Sequence, residues 1–408
     1  MIALRLSMKK RLISMGEKKT AYIFNGLFGA GIFLFIRLLL FIFLPYEVFT
    51  GYGDLINFFR VAQIPGWPYI NYWVEFPPFF PFVSEMIFRL SGGSEVLYVY
   101  CLAGLFSIFD AGSILVAWEL LKIGDPADTR QKKLFLYVLI LSFFPYAWWY
   151  FEPMLVFFFL LGIFYIQREK PLHAGAAIAA GVLLKVFPIL IFIQAWLTRR
   201  NKSFFISIGV FAVLTAAVLG LLWGMSPEFT SASLASQYAK GSWETVWALL
   251  DGNLGTGNFG ALRERLDPQF AYILRGKPAL IPPLIPLVVA GLIGLVILLK
   301  SQNRSSHGQM AMIGLAWCLL ILASPGWSPQ WVLLIIPLCL LVFPLRRGLI
   351  LTGLLVLVNF AEWPIIISRG RSDLLWMTIL LRTAIIIILV VLFAKIGLQN
   401  SDESRGET

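Results

Sequence analysis

The sequence predicts an all-α polytopic membrane protein, and three observations carry that expectation. Of the 408 residues, 59% are hydrophobic and only 13% are charged. The apolar runs repeatedly approach or exceed the ~20 residues that cross a bilayer as a helix. Lys and Arg sit in the short breaks between those runs instead of gathering on one face, so the formal charge of +11 reads as membrane topology. A soluble fold and a nucleic-acid partner are both disfavoured on these grounds, and membrane lipids are the expected surroundings.

In chain order the apolar runs lie near 21–44, 96–121, 133–148, 151–167, 174–184, 186–198, 203–223, 280–299, 309–323, 329–345, 348–368 and 374–394. Twelve passes return both termini to one side, and the bias of basic residues toward alternate loops places that side in the cytoplasm. The first run follows a basic segment, as a signal peptide does, but it is long enough to span and no small-x-small cleavage site follows it. A retained anchor is expected. Segment 77–90 is read as lying at the outer surface, because counting it as a span would put Lys122, Arg130, Lys132 and Lys133 outside. Runs 174–184 and 186–198 are each too short for a straight crossing. They read either as half-helices meeting at Lys185-Val-Phe-Pro188 or as one long helix kinked at the proline. Cys101, Cys318 and Cys339 all fall in apolar runs and read as small packing residues. Residues 1–408 are read as one integral-membrane domain.

Irregular sequence collects on the predicted outer side, in 45–95, 224–279, 324–330 and around Glu362 and Arg369–Asp373. Function is expected there. The first outer loop, 45–95, presents Asp54 just past a span on a turn whose glycines, Gly51 and Gly53, allow close approach, which suits a general base for a hydroxyl. Asn57, Phe58 and Val61 follow on the same helical face and would form a pocket wall. The plainer reading of Asp54 is an N-cap. In the long loop 224–279, Trp243, Trp247 and Leu250 have the spacing of an interfacial helix, and Asp251-Gly-Asn-Leu-Gly-Thr-Gly-Asn-Phe-Gly260 reads as a mobile lid. Asp110 lies within a span, where an ionisable group needs a partner; Arg37 and Arg382 are the candidates, and a structural ion pair is expected. His173 and His307 fall in predicted inner loops. No Cys/His ligand spacing, nucleophile elbow or phosphate-binding glycine loop is present, so no metal site is assigned.

Four blocks carry a resemblance to a known family. Tyr52-Gly-Asp54, Gly66-Trp-Pro-Tyr69, Tyr72 and Glu75-Phe-Pro-Pro78 resemble the first outer loop of the GT-C superfamily of integral-membrane glycosyltransferases. More narrowly, they resemble the polyprenol-phosphate-mannose-dependent mannosyltransferases, among them the enzyme that adds the first mannose of GPI anchors and bacterial alpha-mannosyltransferases. Phe106-Ser-Ile-Phe-Asp110, Leu183-Leu-Lys-Val-Phe-Pro188 and Ser324-Pro-Gly-Trp-Ser-Pro-Gln-Trp331 extend the match. The resemblance implies a GT-C-like bundle of about 10–13 spans and transfer of a hexose from a polyprenyl-phosphate donor to a lipid or glycan acceptor at the outer face. It makes Asp54 the catalytic base and brings Tyr52 and Tyr69 to the substrate. The GPI-type enzyme carries Asp-x-Asp where this chain has Asp54-Leu-Ile56, which favours relatives with a single acid. No cofactor is then required, although a divalent cation remains compatible.

An inverting transfer needs one carboxylate to take the acceptor proton, since a phosphate leaving group needs little protonation. Charge builds on that phosphate, so a nearby cation is expected. Lys185 is the first candidate and Arg263 and Arg265 follow, with Arg275, Arg369 and Arg371 as outer alternatives; any of these could instead meet lipid headgroups. Glu75 is a candidate for binding sugar hydroxyls or for organising the Pro77-Pro78 turn. Trp327, Gln330 and Trp331 could stack on and hydrogen-bond to sugar or lipid, although interfacial tryptophans are common for purely physical reasons. The principal rival function is a transporter or flippase of lipid-linked glycans, because broken helices and buried charges also mark transport pathways. A non-enzymatic scaffold subunit is the third reading.

Overall fold

The computed structural model describes residues 24–198, 201–255 and 260–399. Both termini, and with them the expected cytoplasmic placement of the chain ends, lie outside the described residues. Each of the twelve apolar runs coincides with helix. Six helical stretches are long and apolar enough to cross a membrane: Gly26–Phe43, Glu95–Gly124, Asn201–Met225, Ser306–Ala323, Leu345–Arg369 and Ser372–Leu398. Shorter apolar helices lie at Glu152–Gln167, Pro171–Val182, Phe187–Leu197, Leu284–Lys300 and Pro329–Val342. Helix Ala127–Phe143 carries the remaining run. Among the described residues the only strand-like pairings are isolated bridges, Pro68 with Tyr72, Lys240 with Arg275 and Trp243 with Gly326. The chain is an all-helical, multi-pass membrane protein.

Why these helices pack as they do is visible at a few positions. Helix Pro329–Val342 is buried over its whole length from Pro329, whereas Leu284–Lys300 buries none of its residues and offers its apolar surface outward. A helix apolar all round is the expected form of both a central and a lipid-facing span. Segment 77–90 forms helix Phe79–Leu90, only 12 residues long, and is not among the candidate spans. It buries one face through Phe80, Pro81, Ser84 and Glu85.

Of the two arrangements open at Lys185-Val-Phe-Pro188, a break or a kinked helix, the chain takes the break. Helix Pro171–Val182 ends, the chain turns, and a 3₁₀ turn at Phe187–Leu190 leads into helix Ile191–Leu197. Pro188 cannot donate to a continuing helix, and its ring sits where a side chain on Gly181 would lie, 2.7 Å from an ideal Cβ. Glycine at 181 is what lets the two pieces close on each other. The carbonyl of Leu183, released by the break, accepts the Phe79 N–H at 2.9 Å, which ties the break to the start of helix Phe79–Leu90.

Arg37 and Asp110 pair across two spans at 3.6 Å, each 1% exposed. Arg37 also donates to the Leu141 carbonyl at 2.7 Å and packs over Trp148 and Phe33. Of the two partners the sequence offered Asp110, the fold uses Arg37, and the pair lies among helix-packing residues. Removing one member strands a buried charge, whereas removing both does not. Arg37→Leu is therefore expected to destabilise the fold by roughly 3–5 kcal/mol, and Arg37→Leu with Asp110→Leu to recover most of that. Thermal unfolding in detergent distinguishes the outcomes: a double variant as weak as the single one would exclude a purely structural pair.

Candidate active site

The irregular segments converge at one end of the bundle, and the first loop supplies the centre of the site. Gly53 has φ +78 and leaves no room for a side chain, because Trp149 Cβ would sit 2.4 Å from its Cβ. Glycine alone permits that approach. It lets the Asp54 N–H reach the Trp149 carbonyl at 3.1 Å, fixing the turn against the segment that leads into helix Glu152–Gln167. Asp54 then stands at the N-cap of helix Leu55–Ala62, but its side chain makes no capping hydrogen bond. The carboxylate instead accepts from the Asn57 side-chain amide at 3.2 Å.

Asp54 is partly buried. Burial raises its pKa to about 6, the Asn57 hydrogen bond opposes the rise, the charges of Glu152 and Glu75 add to it, and Lys185 counters it. The acid thus titrates close to neutrality, where a base can both accept and release a proton.

Two ion pairs flank it. Lys185, at the helix break, reaches Glu152 Oε1 and lies over the rings of Phe151 and Trp331, 4.9 and 5.7 Å from their centroids. Arg265 grips Glu75 in a two-pronged contact, one prong of 3.0 Å, with both side chains buried. The main chain around Glu75 is closed by the second long loop. Gln237 donates to the Glu75 carbonyl at 2.6 Å, Ser233 accepts from the Val74 N–H at 3.0 Å, and Trp73 donates to the Glu264 and Asp267 carbonyls. Glu75 accordingly organises the meeting of two loops and lies within electrostatic reach of Asp54.

The other residues singled out from the sequence divide clearly. Tyr52 is exposed at the rim, its ring 5.4 Å from Trp149. Tyr69 is buried and donates to the Phe76 carbonyl at 2.8 Å, so its hydroxyl serves its own loop. Arg263 faces outward. Trp327 is fully buried beneath Arg382, its ring 4.7 Å from the guanidinium, and its backbone N–H donates to the Trp243 carbonyl at 3.1 Å. Gln330 is buried on the 3₁₀ turn Pro329–Trp331. The expected interfacial helix through Trp243 begins only at Val246, capped by Thr245. Trp243 precedes it and packs on Gly326, whose missing side chain is what admits the indole. The stretch read as a lid includes residues 256–259, which lie outside the described residues.

Three charged residues of the site were not picked out from the sequence. Glu152 opens helix Glu152–Gln167 and resembles an ordinary first-turn acid there. Lys240 sits over Trp243 with its nitrogen 3.5 Å from the ring centroid. Burial lowers its pKa to about 8 against the charges of Glu75, Glu244 and Asp54, with Lys185 adding to the lowering. Glu244 has φ 53, unusual for a side chain of its size, and is 3% exposed. Their only sequence signal was that each is a charge embedded among aromatic or apolar neighbours at a predicted outer boundary.

The acids nearest Asp54 are committed to cations, and among the described residues no three His, Cys, Asp or Glu side chains group to hold a metal ion. The arrangement provides a neutral-range base within electrostatic reach of a partly buried lysine at a membrane-helix break. No curated protein and no solved structure matches the chain. The model of glycosyltransferase family 87 matches residues 76–325, more than half of the sequence and inclusive of the loop-closing residues around Arg265, and the chain belongs to that family of GT-C type membrane glycosyltransferases.

Proposed function

We propose that the protein transfers a hexose, mannose being the first candidate, from a polyprenyl-phosphate donor to a lipid or glycan acceptor at the outer face of the membrane, with inversion. The supporting observation is Asp54 itself. It holds an N-cap position without using its carboxylate for capping, it titrates near neutrality, and Lys185 stands within electrostatic reach of it. Asp54 lies before the matched region 76–325, so its role rests on this geometry and on the sequence motif around it. In the proposed step Asp54 takes the acceptor O–H proton, the acceptor oxygen bonds to the anomeric carbon, and the bond from that carbon to the phosphate oxygen breaks. The electron pair leaves with the polyprenyl phosphate, whose growing charge meets Lys185. Family membership weighs against the transporter and scaffold readings.

The donor class is tested with purified protein in nanodiscs, radiolabelled polyprenyl-phosphate-mannose and a membrane-lipid acceptor pool. Labelled acceptor is the expected result. Binding of several lipid-linked sugars with no transfer from any of them would move the assignment to transport.

The pH dependence follows from the two shifted groups. Protonated Asp54 cannot act as base, so kcat/KM should rise with pH through about 6. Lys240, within electrostatic reach of Asp54 and Lys185, loses its charge as pH rises through about 8, and a second limb should fall there as the site loses positive charge. A bell-shaped profile is expected. A rate that stays level from pH 5 to 7 would exclude Asp54 as the base.

A further inference from the structure

Glu152 is a fully enclosed acid at this end of the bundle. It is 0% exposed, one carboxylate oxygen holds Lys185, and the other has no hydrogen-bond partner. Neither the membrane nor helix capping explains an acid placed so. A buried carboxylate with a vacant oxygen is costly unless a cation compensates it, and the lysine it compensates is the one that the proposed mechanism uses. A lysine chain loses rotamer entropy when it is fixed, and among the described residues Glu152 is the ion-pair partner that holds its head. Phe151 and Trp331 offer only ring faces on either side.

We propose that Glu152 is the positioning residue of the transfer site: it fixes Lys185, charged and aimed between Phe151 and Trp331, at the place where a phosphate monoanion of the donor lipid arrives. This rests on the polyprenyl-phosphate reading above. The phosphate would be the second anion for that lysine and would find it already oriented, so binding needs little reorganisation. Glu152 also acts on the base. The charged and titratable groups within electrostatic reach of Asp54 are Glu152 from its own helix, Glu75 from the first loop, Lys185 from the helix break, and Lys240 and Tyr150 from the neighbouring segments. Glu152 and Lys185 act on Asp54 with opposite signs.

That opposition gives the test. Glu152→Gln and Lys185→Gln should both raise the donor KM by at least tenfold, because either change removes the oriented cation. The acid limb of kcat/KM should move in opposite directions, to lower pH in Glu152→Gln and to higher pH in Lys185→Gln. Glu152→Asp should recover part of the donor affinity. Binding of a non-transferable polyprenyl phosphate in nanodiscs is measured in parallel and needs no turnover, so it separates the two readings. If the native chain binds this lipid and Glu152→Gln does not, the positioning role stands even should no sugar transfer be found. A folded Glu152→Gln protein with native phosphate-lipid affinity and an unmoved acid limb would overturn it.

Discussion

Asp54→Asn is expected to lower transfer by roughly 10²–10⁴-fold, the usual contribution of a positioned general base, while leaving the fold intact. Asparagine keeps the shape and can still meet Asn57, and the N-cap loses nothing, since the native carboxylate makes no capping bond. The stability sign runs the other way from activity. Burial raises the folded-state pKa of Asp54 to about 6, so between the unfolded value and pH 6 the folded protein binds more protons. Stability contributed by this group therefore declines as pH rises through that window. At pH 8 the ionised acid is a burden on the native state, and Asp54→Asn should unfold at the same temperature as the native protein or higher. Such a division, where the rate falls and stability does not, is the mark of a group kept for chemistry. Near-native turnover in this variant would put the base elsewhere, and the nearby acids Glu75 and Glu152 would first have to give up Arg265 and Lys185.

The sequence made the spans legible because bilayer thickness imposes a minimum apolar length, and each apolar run became helix. It also marked Lys185-Val-Phe-Pro188 as a break or a kink, since two short runs around a proline admit few other arrangements, and the structure has the break. Asp54 stood out in the sequence because a lone acid after a span, on a glycine turn, departs from what packing requires. What could not be read was partnership. Nothing in the spacing of Glu152 and Lys185, or of Glu75 and Arg265, states that they meet, because those contacts form only when helices and loops distant in sequence close at one end. For the same reason Tyr69 and Trp327 looked like ligand contacts. Aromatic residues in an outer loop have the same sequence signature whether they face a substrate or, as here, a backbone carbonyl and a buried arginine. Trp243 misled for a local reason: three positions at helical spacing suggest a helix, but the left-handed Glu244 interrupts it before the Thr245 cap.

Arg382→Met should destabilise the fold by about 3–5 kcal/mol. Arg382 leaves the helix of the last span to reach the Glu362 carboxylate and the Glu244 carbonyl, beneath Trp327. It thereby joins two spans to the second long loop at the position where Glu244 is held in left-handed backbone. Burial, followed by the adjacent Glu362 charge, pushes the Glu244 pKa well up. Two acids can share this space only while Arg382 balances the remaining charge. With methionine in its place, the buried Glu362 carboxylate loses its ion-pair partner and the Glu244 carbonyl loses its donor. The loop should then detach before the spans separate. Limited proteolysis should cut within 236–280 in Arg382→Met under conditions that leave the native loop whole, and the thermal midpoint should fall. Adding Glu362→Gln removes the stranded charge but not the missing donor to Glu244, so it should restore the midpoint in part and leave the loop sensitive. If both recover fully, the arginine serves only to neutralise Glu362; if only the midpoint recovers, it also fastens the loop that carries Lys240 and Arg265 over the proposed site.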